Sequence, residues 1–204
     1  MADTGLGFNR PIFSNRFHIN RPAALDALQR NMDIFSRFDI IAINLYPPNQ
    51  SSPHIPLDWI NITKKSCYDT TSRPIYIAEF GVASEDADDF NEWPYLMVAR
   101  WRERTVKTQY QRGWAYKNFV STWINLPYII GANWFKWSNG YGSPEGDDVR
   151  NSGIVDDQDD YYRQFADNIR SVNKQVNSVF RSGTFSAEDI NWKSVEINLC
   201  ETEK

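Results

Sequence analysis

The chain has 204 residues, a length that suits one domain or two small ones. It carries 22 lysines and arginines and 26 aspartates and glutamates, and the net charge of −4 gives no electrostatic reason to expect a nucleic-acid or anionic-membrane partner. No apolar run approaches the roughly 20 residues of a membrane span. Two cysteines and two histidines are too few for a disulfide framework or a histidine-rich metal centre, and no phosphate-binding glycine pattern occurs, so we expect no metal or other cofactor.

Four short runs rich in isoleucine and aromatic residues predict the strands of a parallel sheet. They cover residues 11–17, 39–46, 74–80 and 128–137. Nearly continuous apolar runs of this length are typical of strands that are covered on both faces.

Helical periodicity lies between and after these runs, and it predicts helices over 22–38, 57–68, 106–126 and 160–180. The resulting β-α-β-α-β-α-β-α order favours an α/β fold with a parallel sheet or barrel. A complete (β/α)8 TIM barrel needs about 250 residues. We therefore predict a partial barrel over 1–182, about strands five to eight with their helices, and a C-terminal extension over 183–204.

Aromatic residues make up 15% of the chain, and they fill cores or form platforms for sugar rings. Several of them accompany polar residues at the carboxyl ends of the predicted strands, where parallel α/β folds place their sites. These strand-end residues are Asn15, Arg16, Asn44, Tyr46, Glu79, Asn133, Trp134 and Trp137. Amides and a guanidinium bind hydroxyls and indoles stack on C–H faces, so the set suits a polyhydroxylated ring.

Glu79 is the most informative of these residues, because a carboxylate at the end of an apolar strand is costly unless it is paired or functional. An ion pair with an arginine at the barrel rim is the structural alternative. The run Pro74-Ile-Tyr-Ile-Ala-Glu-Phe-Gly81 resembles the seventh-strand nucleophile motif of the large clan of retaining (β/α)8 glycoside hydrolases. Residues 39–46 are similar to the sixth strand of that clan and 131–137 to its eighth. Ser14-Asn-Arg-Phe17 resembles the fifth strand of the agarase-like group, and 151–156 resembles the ending of agarase-like and β-galactosidase-like members.

The resemblance implies retaining hydrolysis of a β-linked, galactose-containing polysaccharide. Glu79 would be the nucleophile and Tyr46 would hold it by a hydrogen bond. Asn15, Arg16, Asn44 and Asn133 would bind hydroxyls, and Trp134 and Trp137 would stack on the sugar. The resemblance also suggests a secreted protein, although the N-terminus shows no signal-peptide pattern.

The acid/base residue of the clan belongs to an Asn-Glu pair on the fourth strand, which a half-barrel of strands five to eight would lack. The one such pair in this sequence, Asn91-Glu92, follows the nucleophile motif in an acidic stretch, and we expect it to be a solvated loop. We therefore expect weak or no catalysis by this chain alone. Two alternatives stay open: a carbohydrate-binding or structural module without turnover, and a half-barrel that self-associates or is completed by an N-terminal half.

Overall fold

The structure is a computed structural model that describes residues 10–18, 22–46, 67–86, 105–135, 153–156 and 160–181. Most of the helix predicted over 57–68 and all of the extension predicted over 183–204 lie outside these residues. The described elements, in chain order, are β1 (Phe17–His18), α1 (Pro22–Arg30), α2 (Met32–Phe35), β2 (Ile41–Asn44), α3 (Asp69–Thr71), β3 (Ile75–Phe80), β4 (Ala83–Ser84), β5 (Thr105–Val106), α4 (Gln109–Trp123), β6 (Ile129–Trp134) and α5 (Arg163–Arg181).

Strands β1, β2, β3 and β6 form one four-stranded sheet in that order, and every neighbouring pair is parallel. The predicted α/β class and its parallel sheet are confirmed. Strands β4 and β5 form a separate two-stranded parallel sheet that the sequence patterns did not predict.

Two helix boundaries differ from the predictions for local reasons. The helix predicted over 22–38 is divided at Asn31 into α1 and α2, and there the carbonyl of Ala27 accepts both the backbone N–H and the side-chain amide of Asn31. The helix predicted over 106–126 begins at Gln109, because the hydroxyl of Thr108 accepts the N–H of Gln111 at 3.2 Å and caps the first turn.

The core lies between one face of the sheet and the helices. Apolar side chains from β2 and β3 meet those of α4 and α5, and the cluster includes Ile41, Ile43, Leu45, Ile75, Ile77, Phe80, Phe119, Trp123, Phe165 and Val172. The ring of Phe80 lies at the centre, in edge-to-face contact with Phe119 and Trp123 and stacked on Tyr116. Part of the high aromatic content therefore fills this core.

An irregularity near the end of β3 changes which face Glu79 takes. Along β2, Ile43 pairs with Ile77 while the next residue, Asn44, pairs with Glu79, so β3 holds one extra residue. Strict alternation would place Glu79 on the helix-covered face with Ile75 and Ile77. The bulge instead turns Glu79 to the opposite face, as bulges beside active sites commonly do.

Cys67 is buried in the hydrophobic core, and burial raises the pKa of its thiol to about 12 from the ordinary 9.0. The thiolate is the reactive form, so at pH 8 we expect Ellman's reagent to modify Cys67 at least about 100-fold more slowly in the native protein than in urea. The measurement uses a Cys200→Ser variant, in which Cys67 is the only thiol. Similar rates with and without urea would contradict this placement of Cys67.

Candidate active site

Glu79 is the centre of a small polar cluster at the carboxyl end of the sheet. Its Oε2 accepts a hydrogen bond of 2.8 Å from Nδ2 of Asn44 and one of 2.9 Å from the hydroxyl of Tyr46. Its Oε1 forms an ion pair with Nη1 of Arg16. Three predicted site residues from two segments of the chain thus meet at one predicted carboxylate, which a third segment carries.

The two donors to Oε2 share a face because they lie two residues apart. Side chains alternate along a strand, so Asn44 and Tyr46 point away from the core that Ile43 and Leu45 enter. The ring of Tyr46 is also held edge-to-face against Phe135, with 6.3 Å between centroids. Two donors on one oxygen keep the carboxylate in a single orientation.

The backbone around Glu79 is bound on both sides. Its carbonyl accepts the N–H of Leu45 at 2.8 Å, and the carbonyl of Phe80 accepts the N–H of Phe135 at 2.7 Å. Gly81 follows directly, and a Cβ at this position would lie 2.6 Å from the carbonyl oxygen of Phe135. The glycine of the Glu-Phe-Gly sequence therefore allows the two chain segments to approach this closely.

Ser14 positions the segment that carries Arg16, and the sequence patterns did not single it out. Its N–H donates to the carbonyl of Ile40 and its Oγ accepts the N–H of Ala42, both at 2.9 Å. The only hint of this role in the sequence is that Ser14 is a polar residue inside a run predicted to be a strand. The side chain of Arg16 itself is 61% exposed, whereas that of Glu79 is 9% exposed, so the guanidinium covers the carboxylate from the solvent side.

The remaining predicted site residues do not join this cluster. The side chains of Asn15 and Asn133 are exposed and form no hydrogen bond within the described residues. Trp137 lies outside the described residues.

The structure corrects the expectation that Trp134 stacks on a sugar beside Glu79. Trp134 pairs in register with Phe80, and its ring contacts Phe80, Tyr116 and Phe165 in the helix layer. Alternation along β6 sends Asn133 and Trp134 to opposite faces, and the tryptophan takes the apolar one.

Arg112 of α4 is the main residue near this end of the sheet that the sequence patterns missed. It is fully buried and donates to the carbonyl oxygens of Val82 and Gly153 and to Oε1 of Gln109. Its guanidinium also lies 4.1 Å from the ring centroid of Phe165. Burial lowers the pKa of Arg112 to about 9, so the side chain remains charged at neutral pH.

Arg112 joins the loop after β3 to the segment that precedes α5. The sequence does hold a signal for Arg112, because the buried stripe of α4 includes positions 112, 116, 119 and 123, which are spaced by three and four residues.

Within the described ranges, no group of three or more histidine, cysteine, aspartate or glutamate side chains could hold a metal ion. None of the described helices is long and apolar enough to span a membrane.

No protein-family model matches the sequence, and no curated protein matches it. Solved structures are similar to it. The alignment with an exo-β-agarase covers 83% of this chain and 20% of the agarase chain, with 21% sequence identity and a TM-score of 0.59. The alignment with a second agarase covers 83% of this chain and 23% of that agarase chain, with 21% sequence identity and a TM-score of 0.58. The alignment with a β-glucuronidase from Ruminococcus gnavus covers 81% of this chain and 26% of the glucuronidase chain, with 12% sequence identity and a TM-score of 0.50.

At these identities the likeness establishes the fold. The chain spans about a fifth to a quarter of the length of these proteins. The resemblance to the (β/α)8 glycoside hydrolases that the strand-end motifs indicated is confirmed at the level of the fold.

Proposed function

We propose that this chain carries the nucleophile side of a retaining glycoside hydrolase site that acts on a β-linked, galactose-containing polysaccharide. The observation that carries the proposal is the cluster at Glu79, a carboxylate bound through one oxygen by Asn44 and Tyr46 and through the other by Arg16. Two of the similar structures are agarases, which supports a polysaccharide substrate.

In this proposal the two carboxylate oxygens have different tasks. Oε2 is held by two donors from β2 and the residues after it, so it fixes the orientation of the group. Among the described residues, the polar partner of Oε1 is the exposed Arg16, and Oε1 can face a sugar once that side chain moves. In the proposed reaction Oε1 attacks the anomeric carbon as the glycosidic C–O bond breaks, and water later hydrolyses the glycosyl ester.

The side-chain oxygen of Asn44 offers this site a hydrogen-bond acceptor in addition to the amide that donates to Glu79. This oxygen, Oδ1, is buried and has no hydrogen-bond partner among the described residues. Such an acceptor costs free energy until a donor reaches it. We infer that a substrate hydroxyl is this donor, which would let one amide orient both the nucleophile and the sugar.

The proposed mechanism needs a second carboxylate about 5–5.5 Å from Glu79 to protonate the leaving oxygen. Among the predicted strand-end residues Glu79 is the only acid, and Asn91-Glu92 lies outside the described residues. We propose that this chain supplies strands five to eight of a barrel and that four further βα units supply the acid/base residue. Those four units would also cover the open edges of the sheet.

The nucleophile can be tested without the acid/base. In 2-deoxy-2-fluoro-β-D-galactosyl fluoride the C1–F bond breaks without protonation, and the fluorine at C2 slows hydrolysis of the product. We expect Glu79 to displace fluoride ion and retain the sugar as a glycosyl ester, detected by intact-protein mass and located by peptide mapping. A Glu85→Gln variant is the matched control, because Glu85 is an exposed glutamate shortly after β3, and it should label like the wild type.

An adduct on another residue, or no adduct at saturating reagent, would contradict the proposal. The presence of a single acid among the strand-end residues favours a second candidate, a carbohydrate-binding module without turnover. That module would bind methyl β-D-galactoside saturably and form no adduct.

A further inference from the structure

The guanidinium of Arg16 is only partly used in the cluster around Glu79. Nη1 contacts Oε1 of Glu79, and no other hydrogen bond or ion pair of this side chain occurs among the described residues. A guanidinium has five N–H donors in a planar fork that matches carboxylate and sulfate oxygens. The free donors of Arg16 lie on the solvent side of the nucleophile, because its side chain is 61% exposed.

Its exposure distinguishes Arg16 from an arginine that only neutralises a buried carboxylate. An arginine whose task is to neutralise a buried carboxylate is expected to be buried with it, as buried charges are paired and shielded from water. Arg16 instead covers Oε1 from outside, at the position a substrate must occupy before attack. A substrate therefore has to displace this guanidinium or bind to it.

The charge of the surrounding sequence favours binding. Residues 4–25 contain Arg10, Arg16, Arg21 and His18 and no aspartate or glutamate, in a chain whose net charge is −4. These basic residues are distributed before, within and after β1, which begins directly after Arg16. A basic segment in an acidic protein raises the local concentration of anions.

An anionic sugar would otherwise be repelled by Glu79, so it needs a cation between its own charge and the nucleophile. We propose that Arg16 supplies this cation and binds an oxyanion on the substrate, a uronate carboxylate or a sulfate ester, so that the site takes an acidic polysaccharide. The inference rests on the proposed function, because it concerns the same site. It names the charge of the substrate, which the fold alone does not specify.

The test is an NMR titration of the full 204-residue chain with three monosaccharides. They are methyl β-D-galactoside, its 6-sulfate, and the corresponding methyl β-D-galacturonide. We expect at least one of the two anions to bind about tenfold more tightly than the neutral galactoside, the effect of about one charge-assisted hydrogen bond. Comparison of the sulfate with the uronate distinguishes the two sources of the oxyanion.

Variants identify the residue responsible. Arg16→Gln should remove the preference for the anion over the neutral galactoside, and Arg16→Lys should keep part of that preference because it retains the charge without the fork. Glu79→Gln should raise the affinity for the anion, because it frees the guanidinium from its ion pair. Arg30→Gln removes an exposed arginine of α1 that pairs with Asp26, and it should leave all three affinities unchanged.

Equal affinities of the wild-type chain for all three sugars would overturn the inference while leaving the proposed function in place. A preference for the anion that survives in Arg16→Gln would also overturn it. If none of the three sugars binds, both the inference and the carbohydrate site fail together. Amide spectra that overlay away from β1 and Glu79 confirm that each variant is folded.

Discussion

The Glu79→Gln variant is expected to form no covalent adduct with 2-deoxy-2-fluoro-β-D-galactosyl fluoride, even after prolonged incubation at saturating reagent. An amide oxygen is a far weaker nucleophile than a carboxylate oxygen, and the substitution keeps the size and shape of the side chain. The carboxamide can still accept hydrogen bonds from Asn44 and Tyr46 through its oxygen, so the fold of the strand end should survive. Intact-protein mass gives the labelled fraction over time.

Removal of either donor to Oε2 should slow the labelling of Glu79 without abolishing it. Tyr46→Phe removes only the hydroxyl that donates to Glu79 at 2.9 Å, and Asn44→Ala removes the amide that donates at 2.8 Å. Each loss lets the carboxylate rotate away from the attacking orientation, and we expect labelling to be about 10- to 100-fold slower in each variant. Labelling of Glu79→Gln, or an unchanged rate in both donor variants, would show that this cluster is not the nucleophilic site.

Arg112→Met is expected to lower the free energy of unfolding by about 3–5 kcal/mol. The methionine replaces the apolar stem of the arginine without its guanidinium, so the carbonyl oxygens of Val82 and Gly153 and Oε1 of Gln109 lose the donors that Arg112 supplies. It also removes the contact of the guanidinium with the ring of Phe165. The loss of the buried charge offsets only part of this cost, since each nitrogen of the native guanidinium donates a hydrogen bond and the group lies over the ring of Phe165. Urea unfolding followed by tryptophan fluorescence and circular dichroism measures the change.

The matched control for Arg112 is Arg170→Met on α5, whose guanidinium is exposed and pairs with Asp167 one turn away. An exposed pair of this kind contributes little, so this variant should stay within about 0.5 kcal/mol of the wild type. Arg112→Lys should also be destabilised, because one ammonium group cannot reach three acceptors that lie in three directions. If Arg112→Met matches the control, the loop after β3 is held by other contacts.

Much of the site around Glu79 could be predicted because it follows from rules of strand geometry. Apolar runs predicted the strands, parallel pairing brings their carboxyl ends together, and the two-residue spacing of Asn44 and Tyr46 places both on one face. Arg16 and Asn44 were assigned to sugar hydroxyls, and an ion pair between Glu79 and an arginine was the structural alternative to a catalytic role. In the structure both side chains bind the nucleophile itself.

The errors came from features that depend on neighbouring strands and helices. Trp134 was placed in the sugar cleft because it lies at a predicted strand end in the run that is similar to the clan's eighth strand, but its ring packs in the helix layer beside Phe80, with which it pairs. Arg112 was overlooked because a charged residue in a helix is usually exposed, and only the packing of Phe165 and the carbonyl groups of two loops show why this one is buried.

The sequence by itself determined the parallel α/β architecture, the position of Glu79 at a strand end, and the donors that β2 can supply, because these depend on hydrophobic periodicity and on alternation within one strand. Only the tertiary structure decided which face Glu79 takes. That choice depends on one extra residue in β3 relative to the pairing of β2, between the pairs Ile43–Ile77 and Asn44–Glu79. A bulge is set by the register between two strands, and the spacing of residues within either strand alone does not contain that register.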